Sequence, residues 1–240
     1  METQYNDDQY QANYPDGIEN NYWNVGRNKT ILSVIGKYGI NNIMDVGCGR
    51  GIVTSYLYEH GVNITGVELG QATPIRKTGC KILYNTDVMA VPKEERDAVK
   101  ALTFFDVIEH IEDPKAFVSS VGQHYAKHEY IIITVPARKE LWSNYDVFYG
   151  HYRRYDLKMT KDFFDGLGYE IVENRYFFHA LYLLIRMSNF IRTDRELKYV
   201  SPVGVSKLIQ AFIGTLFYLE RFFVPGKVLG SSVLCVAKKK

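Results

Sequence analysis

The sequence predicts an α/β fold built on a doubly wound parallel sheet. Three observations carry that prediction. Short apolar strands alternate with helical patterns from residue 42 to residue 135, the order that a sheet with helices on both faces requires. A glycine-rich turn, Gly47-Cys48-Gly49-Arg50-Gly51, sits between the first strand and the next helix. Residues 130–135 form a fully apolar strand closed by Pro136, the pattern of a strand covered on both faces.

The elements follow in chain order. Residues 1–20 are rich in Asn, Asp, Gln and Tyr without an apolar period, so they read as a flexible arm that orders late or with ligand. Trp23, Val25, Ile31, Leu32, Val34 and Ile35 fit a helix ending near Gly39. Strand 42–46, the glycine turn and a helix over 52–60 come next, with Gly61 closing the helix. Strand 62–67 ends at Glu68, and helical residues are expected to about Thr78. A short strand at 81–84, a polar helix around 93–97 and a strand at 100–105 complete the first half. Asp113-Pro114 opens another helix.

Beyond Pro136 the alternation breaks. The connection 136–159 carries Trp142, Tyr145, Tyr149, His151, Arg153 and Arg154, and loops of this length in compact domains serve function. A helix at 160–166, a strand at 169–175 and a last strand at 231–237 resume the fold. Between them, 176–223 reads as an apolar helical insertion. Its two segments are interrupted by His179, Arg186, Gln210, Glu220 and Arg221, which argues against a spanning helix. Two readings stay open: helices packed on each other over the site, or a peripheral surface that meets lipid, to which the run Lys238-Lys239-Lys240 would add charge attraction.

Composition bounds the function classes. With 240 residues and 46% hydrophobic content the chain has the size of one domain with a real core. The 29 basic and 27 acidic residues nearly cancel, so no global field gathers nucleic acid. An aromatic share of 14% points to an aromatic-lined pocket or a membrane-facing surface. Cys48, Cys80 and Cys235 lack CxxC spacing and an even count, and the first residues lack a signal-peptide pattern; the expected compartment is the cytoplasm.

The glycine turn alone means a nucleotide-like ligand. A dinucleotide fingerprint places its third glycine at 52, where Ile52 stands, which weakens the pyrophosphate reading. The absence of a following Gly-Lys-Ser/Thr excludes a P-loop. Glu68 at the tip of the next strand is placed to accept hydrogen bonds from both hydroxyls of a ribose. Turn plus acid therefore indicate a nucleoside.

The series 43–51, then Glu68, then Asp87-Val88 resembles the motifs of class I S-adenosylmethionine methyltransferases. The resemblance implies a Rossmann-like seven-stranded sheet, mostly parallel with an antiparallel last strand, and S-adenosyl-L-methionine as cofactor. It places Gly47, Cys48, Gly49 and Gly51 against the cofactor, Glu68 on its ribose and Asp87 at the adenine amino group. Val88 and Phe105 belong to the same site, and Asp45 orients the loop and the methionine amino group. Residues 22–27, Asp106-Val107-Ile108-Glu109-His110-Ile111-Glu112-Asp113-Pro114 and Gly150-His151-Tyr152-Arg153-Arg154-Tyr155 are similar to segments of a bacterial subgroup related to ubiquinone-pathway O-methyltransferases. Together the matches run from about Tyr22 to Leu167.

Methyl transfer to a hydroxyl needs a proton carrier, and His110 or His151 is the candidate. His110 is the sharper one, a general base just past the fourth strand; a structural histidine bracing the next helix is its alternative. Tyr149, Arg153 and Arg154 are expected to bind substrate, the arginine forks taking a phosphate or carboxylate; a solvated turn or internally paired arginines is the competing reading. Asp106, Glu109 and His110, with His151, also resemble the E-x-x-E-H metal set of small-RNA end methyltransferases. Asp stands in place of the first Glu, and carboxylate–histidine pairs are common without metal, so no metal ligand is assigned.

The resulting expectation is O-methylation of a small-molecule, saccharide or lipid-linked hydroxyl, without nucleic acid and with an optional peripheral membrane contact through 176–223. An RNA or protein methyltransferase is the first alternative; no separate basic domain and no N-P-P-Y tetrad supports it. A catalytically silent cofactor-binding or membrane-associated protein is the second, opposed by the intact glycines, Glu68 and the His-Arg segment.

Overall fold

The computed structural model describes residues 14–191 and 200–240. Residues 1–13 of the expected arm and 192–199 of the expected insertion lie outside the described residues. Seven strands form one sheet in the order β3-β2-β1-β4-β5-β7-β6: β1 (Ile43–Val46), β2 (Ile64–Val67), β3 (Ile82–Leu83), β4 (Ala101–Phe105), β5 (Tyr130–Pro136), β6 (Tyr169–Phe177) and β7 (Ser232–Lys239). Neighbours from β3 to β5 pair in parallel, whereas β7 is antiparallel to both β5 and β6. The Rossmann-like sheet with a reversed last strand is as expected.

Strand alternation divides the core between the two faces. Leu102 and Phe104 of β4 and Ile131, Ile133 and Val135 of β5 face α4 (Pro114–His124) and α6 (Leu157–Phe164). Ala101, Phe105 and Ile132 face α1 (Tyr22–Tyr38) and α2 (Ile52–Glu59). Because successive strand side chains point to opposite faces, these central strands must be apolar at nearly every position. That is why they lack the polar alternation of a half-exposed sheet. A short helix α3 (Lys93–Ala98) precedes β4.

Local signals set the ends of the helices. Asn21 caps α1 by accepting from Asn24 N, and Gly39 ends it in the left-handed conformation. Asp113 caps α4 and Asp156 caps α6, each accepting from the backbone N–H three residues on. The Asp156 cap starts α6 at Leu157, earlier than the sequence pattern suggested.

The structure departs from the sequence reading in three places. Residues 69–78 form no helix: Gly70 and Pro74 interrupt them, and Arg50 holds the segment extended by donating to Thr73 O while Ile75 N donates to Arg50 O. Strand β6 runs on to Phe177, so the insertion's helices begin only at α7 (His179–Ile191). Its first two backbone N–H groups donate to the Glu220 carboxylate at 2.6 and 3.0 Å. Helix α8 (Val205–Leu219) packs along α1 rather than along α7. Gly214 and Gly26 allow this close approach, since a Cβ on Gly214 would stand 2.6 Å from Tyr22 O.

Candidate active site

Strand order reverses between β1 and β4, and open α/β sheets bind ligands at the carboxyl ends of such strands. A cavity of about 1230 Å³ opens there. One wall is the glycine loop. Gly47 N and Cys48 N both donate to Val67 O, tying the loop to the tip of β2. Gly51 has φ 75° and directly precedes α2; a Cβ on it would lie 2.3 Å from Ile82 Cδ1. The third glycine stands at 51 because the helix begins one residue later.

Glu68 is buried with both oxygens engaged, Oε2 by Gly49 N and Oε1 by Gly70 N, each at 2.8 Å. A carboxylate oxygen accepts more than one hydrogen bond, so this arrangement orients Glu68 while leaving it acceptor capacity. Asp45 is held by Thr54 Oγ1 at 2.6 Å and Thr103 Oγ1 at 2.9 Å. Burial pushes its carboxyl up to about 6, against the lowering effect of the two threonines. Asp87, Val88 and Phe105 line the cavity. Asp87 also caps the turn Val88–Ala90 by accepting from Met89 N. Cys48 is a free thiol, raised well above its usual range by burial.

Arg27 is a site residue to which sequence reasoning gave no role. It projects from α1 into the cavity, pairs with Asp106, and lies 4.2 Å over the Trp23 ring. Its Nε is buried without a hydrogen-bond partner. A signal existed: Asn24, Arg27 and Asn28 are polar positions on the buried face of an otherwise apolar helix. Asp106 adopts φ 57°, rare for a side-chain-bearing residue, and also accepts from Thr134 Oγ1.

The facing wall comes from the turn Ile108–His110 and the 137–158 connection folded over it. Tyr152 N donates to Glu109 O at 2.8 Å and Tyr155 OH to Ile108 O at 3.3 Å, docking the connection on the turn. His110 and His151 thereby meet edge to face, with ring centroids 4.6 Å apart. Desolvation, with the adjacent His151 ring, pushes His110 down to about 3, so its imidazole is neutral. Glu109 is pushed well above the carboxylate range by burial and by the charge of Asp106.

Asp146, unassigned from sequence, organises this wall from α5 (Asn144–Phe148). It accepts from His151 Nδ1 at 2.8 Å, from Arg154 Nε at 2.8 Å and Nη2 at 3.0 Å, and from Ser143 N at 2.9 Å. An ionised carboxylate only accepts, so the hydrogen of this bond sits on His151 Nδ1, and Nε2 is left for another partner.

The expected substrate residues are placed differently. The Arg154 fork is filled by Asp146, and its Nη1 donates to Ala137 O. Arg153 Nη2 donates to the carbonyls of Ile111 and Glu112. Tyr149 is buried against Tyr145 and Phe148, with Tyr145 rather than Tyr149 lining the cavity. The fold-back, a tertiary event, buries Tyr149, Arg154 and Tyr155 while leaving Tyr152 47% exposed. Glu109, His110 and His151 offer donor atoms all within 4.8 Å of one another, and Glu109 Oε2 is buried without a partner. These three residues could hold a divalent cation.

Helix α7 roofs the cavity with Leu181, Leu184 and Ile185. Among the described residues, no helix is long and apolar enough to cross a membrane.

A sheet with a reversed last strand, a glycine loop, a buried strand-tip acid and a cavity where the strand order reverses make a nucleoside-type site on an α/β domain. The chain belongs to the methyltransferase-domain family, whose profile matches residues 23–174. It is similar to ubiquinone biosynthesis O-methyltransferases: 30% identical over 89 residues to that of Nitrosospira multiformis and 32% over 89 residues to that of Nitrosococcus oceani. Each alignment covers 34% of this chain and 37% of the relative, so little more than a third of those proteins is matched. Among solved structures, the magnesium protoporphyrin IX methyltransferase of Synechocystis with bound SAH superposes with a TM-score of 0.53 at 13% identity, covering 97% of this chain and 94% of that one. A SAM-dependent methyltransferase of Thermotoga maritima gives 0.54 at 15%, covering 96% and 99%. These likenesses show the fold.

Proposed function

We propose that this protein O-methylates a hydroxyl of a small-molecule, saccharide or lipid-linked acceptor in the cytoplasm. The Asp146–His151 pair carries this reading: His151 lines the same cavity as the glycine loop, and the buried Asp146 holds it from behind. The names of the O-methyltransferase relatives agree with it.

Bound S-adenosylmethionine supplies a methyl carbon on a sulfonium, which an aligned nucleophile displaces in line. The residues present fit that cofactor. Glu68 would take the ribose hydroxyls, the loop Gly47–Gly51 with Cys48 would hold the methionine and adenosine parts, and Asp87, Val88 and Phe105, which line the same cavity, would hold the adenine. The unpartnered Nε of buried Arg27 is suited to the cofactor's carboxylate, and Asp45 holds the loop through the threonines of α2 and β4.

On the acceptor side, Nε2 of His151 takes the hydroxyl proton. A base works best with an affinity for protons near the working pH, and His110 is held too low for that task. His110 is instead a neutral group that positions the acceptor. This reverses the order in which the sequence ranked the two histidines.

A second reading rests on the buried, unpartnered Glu109 oxygen: a divalent cation on Glu109, His110 and His151 would polarise the acceptor hydroxyl directly. Chelation separates the two, because activity carried by His151 alone survives it.

A peripheral membrane contact fits the exposed apolar residues. Helix α8 turns Leu208 and Phe212 outward at 74% and 64% exposure, with Leu216 one turn on, an interfacial pattern. Leu184 is 57% exposed and also lines the cavity, so an amphipathic acceptor would meet the site from this side. The deciding experiment incubates the protein with methyl-labelled cofactor and separated small-molecule, lipid, saccharide, RNA and protein fractions, a labelled small-molecule hydroxyl counting for the reading. Base-stable label in a hydroxylated lipid or saccharide is expected; label confined to RNA or protein, or none at all, overturns the reading.

A further inference from the structure

The segment from Tyr14 to Asn21 crosses the mouth of the cofactor cleft, gripped from both sides. On the cofactor side Arg50, the side-chain-bearing residue between Gly49 and Gly51, donates Nη1 to Tyr14 O at 2.6 Å, Nη2 to Asp16 Oδ1 at 2.9 Å and Nε to Thr73 O at 3.0 Å. On the far side Ser201 Oγ donates to Pro15 O at 3.3 Å, and Gln210 Oε1 of α8 accepts from Tyr22 N at 2.9 Å. The clamp delivers the Tyr14 side chain into the cleft. Its hydroxyl sits where a Cβ on Gly49 would lie only 2.5 Å away, so Gly49 is bare on the face that Tyr14 covers. Glu68, Arg27, Cys48 and Asp106 are the charged and titratable groups around the half-buried Tyr14 ring.

We propose that Tyr14 is a cofactor-contact residue and that the 14–21 segment is a strap, latched by Arg50, which closes over the bound cofactor. The inference rests on the S-adenosylmethionine site proposed above. Tyr14 lies against Gly49 and, like Arg27, lines the cavity; on that reading it meets the amino-acid end of the cofactor. A cofactor packed on Gly49 would meet Tyr14, and moving Tyr14 away means opening the Arg50 clamp on its carbonyl. Arg50 is then a positioning residue that acts through Tyr14. Closure by a short segment commonly sets the rate at which ligand leaves.

The test uses the full chain, with S-adenosylhomocysteine as the probe. Calorimetry on the wild type comes first: a wild type that fails to bind sinks the cofactor reading itself, independently of the strap. With binding established, stopped-flow displacement gives the dissociation rate. Tyr14→Ala is expected to raise that rate roughly tenfold, since affinity changes within one site appear mainly as dissociation. Arg50→Ala is expected to do the same, Arg50→Lys to restore part of the loss, and the double variant to exceed neither single one. Hydrogen exchange supplies a readout that a merely structural role would not move: amides of 16–21 should slow on ligand binding in the wild type and not in Arg50→Ala. Dissociation within twofold of wild type in Tyr14→Ala, or amide exchange in 16–21 indifferent to ligand, overturns the proposal.

Discussion

Nδ1 of His151 lies 2.8 Å from Oδ1 of Asp146. That carboxylate fixes the imidazole tautomer from one side while the Arg154 fork holds it from the other. The ring's Nδ1 is thereby committed to Asp146 while the residue lines the cavity.

Asp146→Asn would retain much of the shape but let the side-chain amide face His151 and Arg154 with donors. We expect the turnover of bound substrates to fall by roughly 100-fold or more, the scale of a positioned proton carrier, with cofactor affinity unchanged. His151→Gln should show a similar loss, and the double variant little more, because the two act as a unit. Single-turnover kinetics alongside calorimetry checks this; a drop in cofactor affinity of the same size would place Asp146 in the cofactor site instead.

Glu68→Gln offers one accepting oxygen where Gly49 N and Gly70 N now each have their own. Hydrogen bonds to charged groups contribute about 1.5–3 kcal/mol each, so cofactor should bind at least about tenfold more weakly. Calorimetric titration decides it. Unchanged affinity would contradict the ribose assignment.

His110 makes stability depend on pH. Its native ring is held down to about 3, whereas an unfolded histidine titrates near about 6.5, so below that pH the unfolded state binds more protons. The stabilisation is complete above the unfolded value and is lost as the pH falls toward the native one. Asp45, pushed up to about 6, acts in the opposite sense and cancels in a comparison of variants. Between pH 7 and pH 5 the wild type should lose about 2 kcal/mol more than His110→Gln, measured by urea denaturation; parallel curves would show that the ring titrates normally.

Leu208→Glu and Phe212→Glu place charge on the outward face of α8, where both positions are mainly exposed. Unfolding temperature should change little, while sedimentation with anionic phospholipid vesicles should be abolished if this face meets lipid. Wild type that fails to sediment at low salt, or variants that sediment equally, would remove the membrane contact from the proposed function.

Much of the fold was legible because its signals are local. The apolar strands, the glycine loop and the cap at Asp113 depend on neighbours a few residues away, whereas the cap at Asp156, which starts its helix at Leu157, was missed. The expected helix over 69–78 failed because its backbone answers to Arg50, a partner more than twenty residues earlier. Arg27 stayed without a role, and Arg153 and Arg154 stayed open between substrate binding and internal pairing, since sequence shows a charge but not which carboxylate or carbonyl will face it.

Glu68 and the loop from Gly47 to Gly51 were determined by the sequence alone, because a turn that needs left-handed glycines and a strand-tip acid leave one-dimensional marks. The acceptor wall was decided only in three dimensions. His110, Asp146 and His151 meet because the 137–158 connection folds back onto the turn Ile108–His110, and hydrogen bonds between residues about forty apart hold it there.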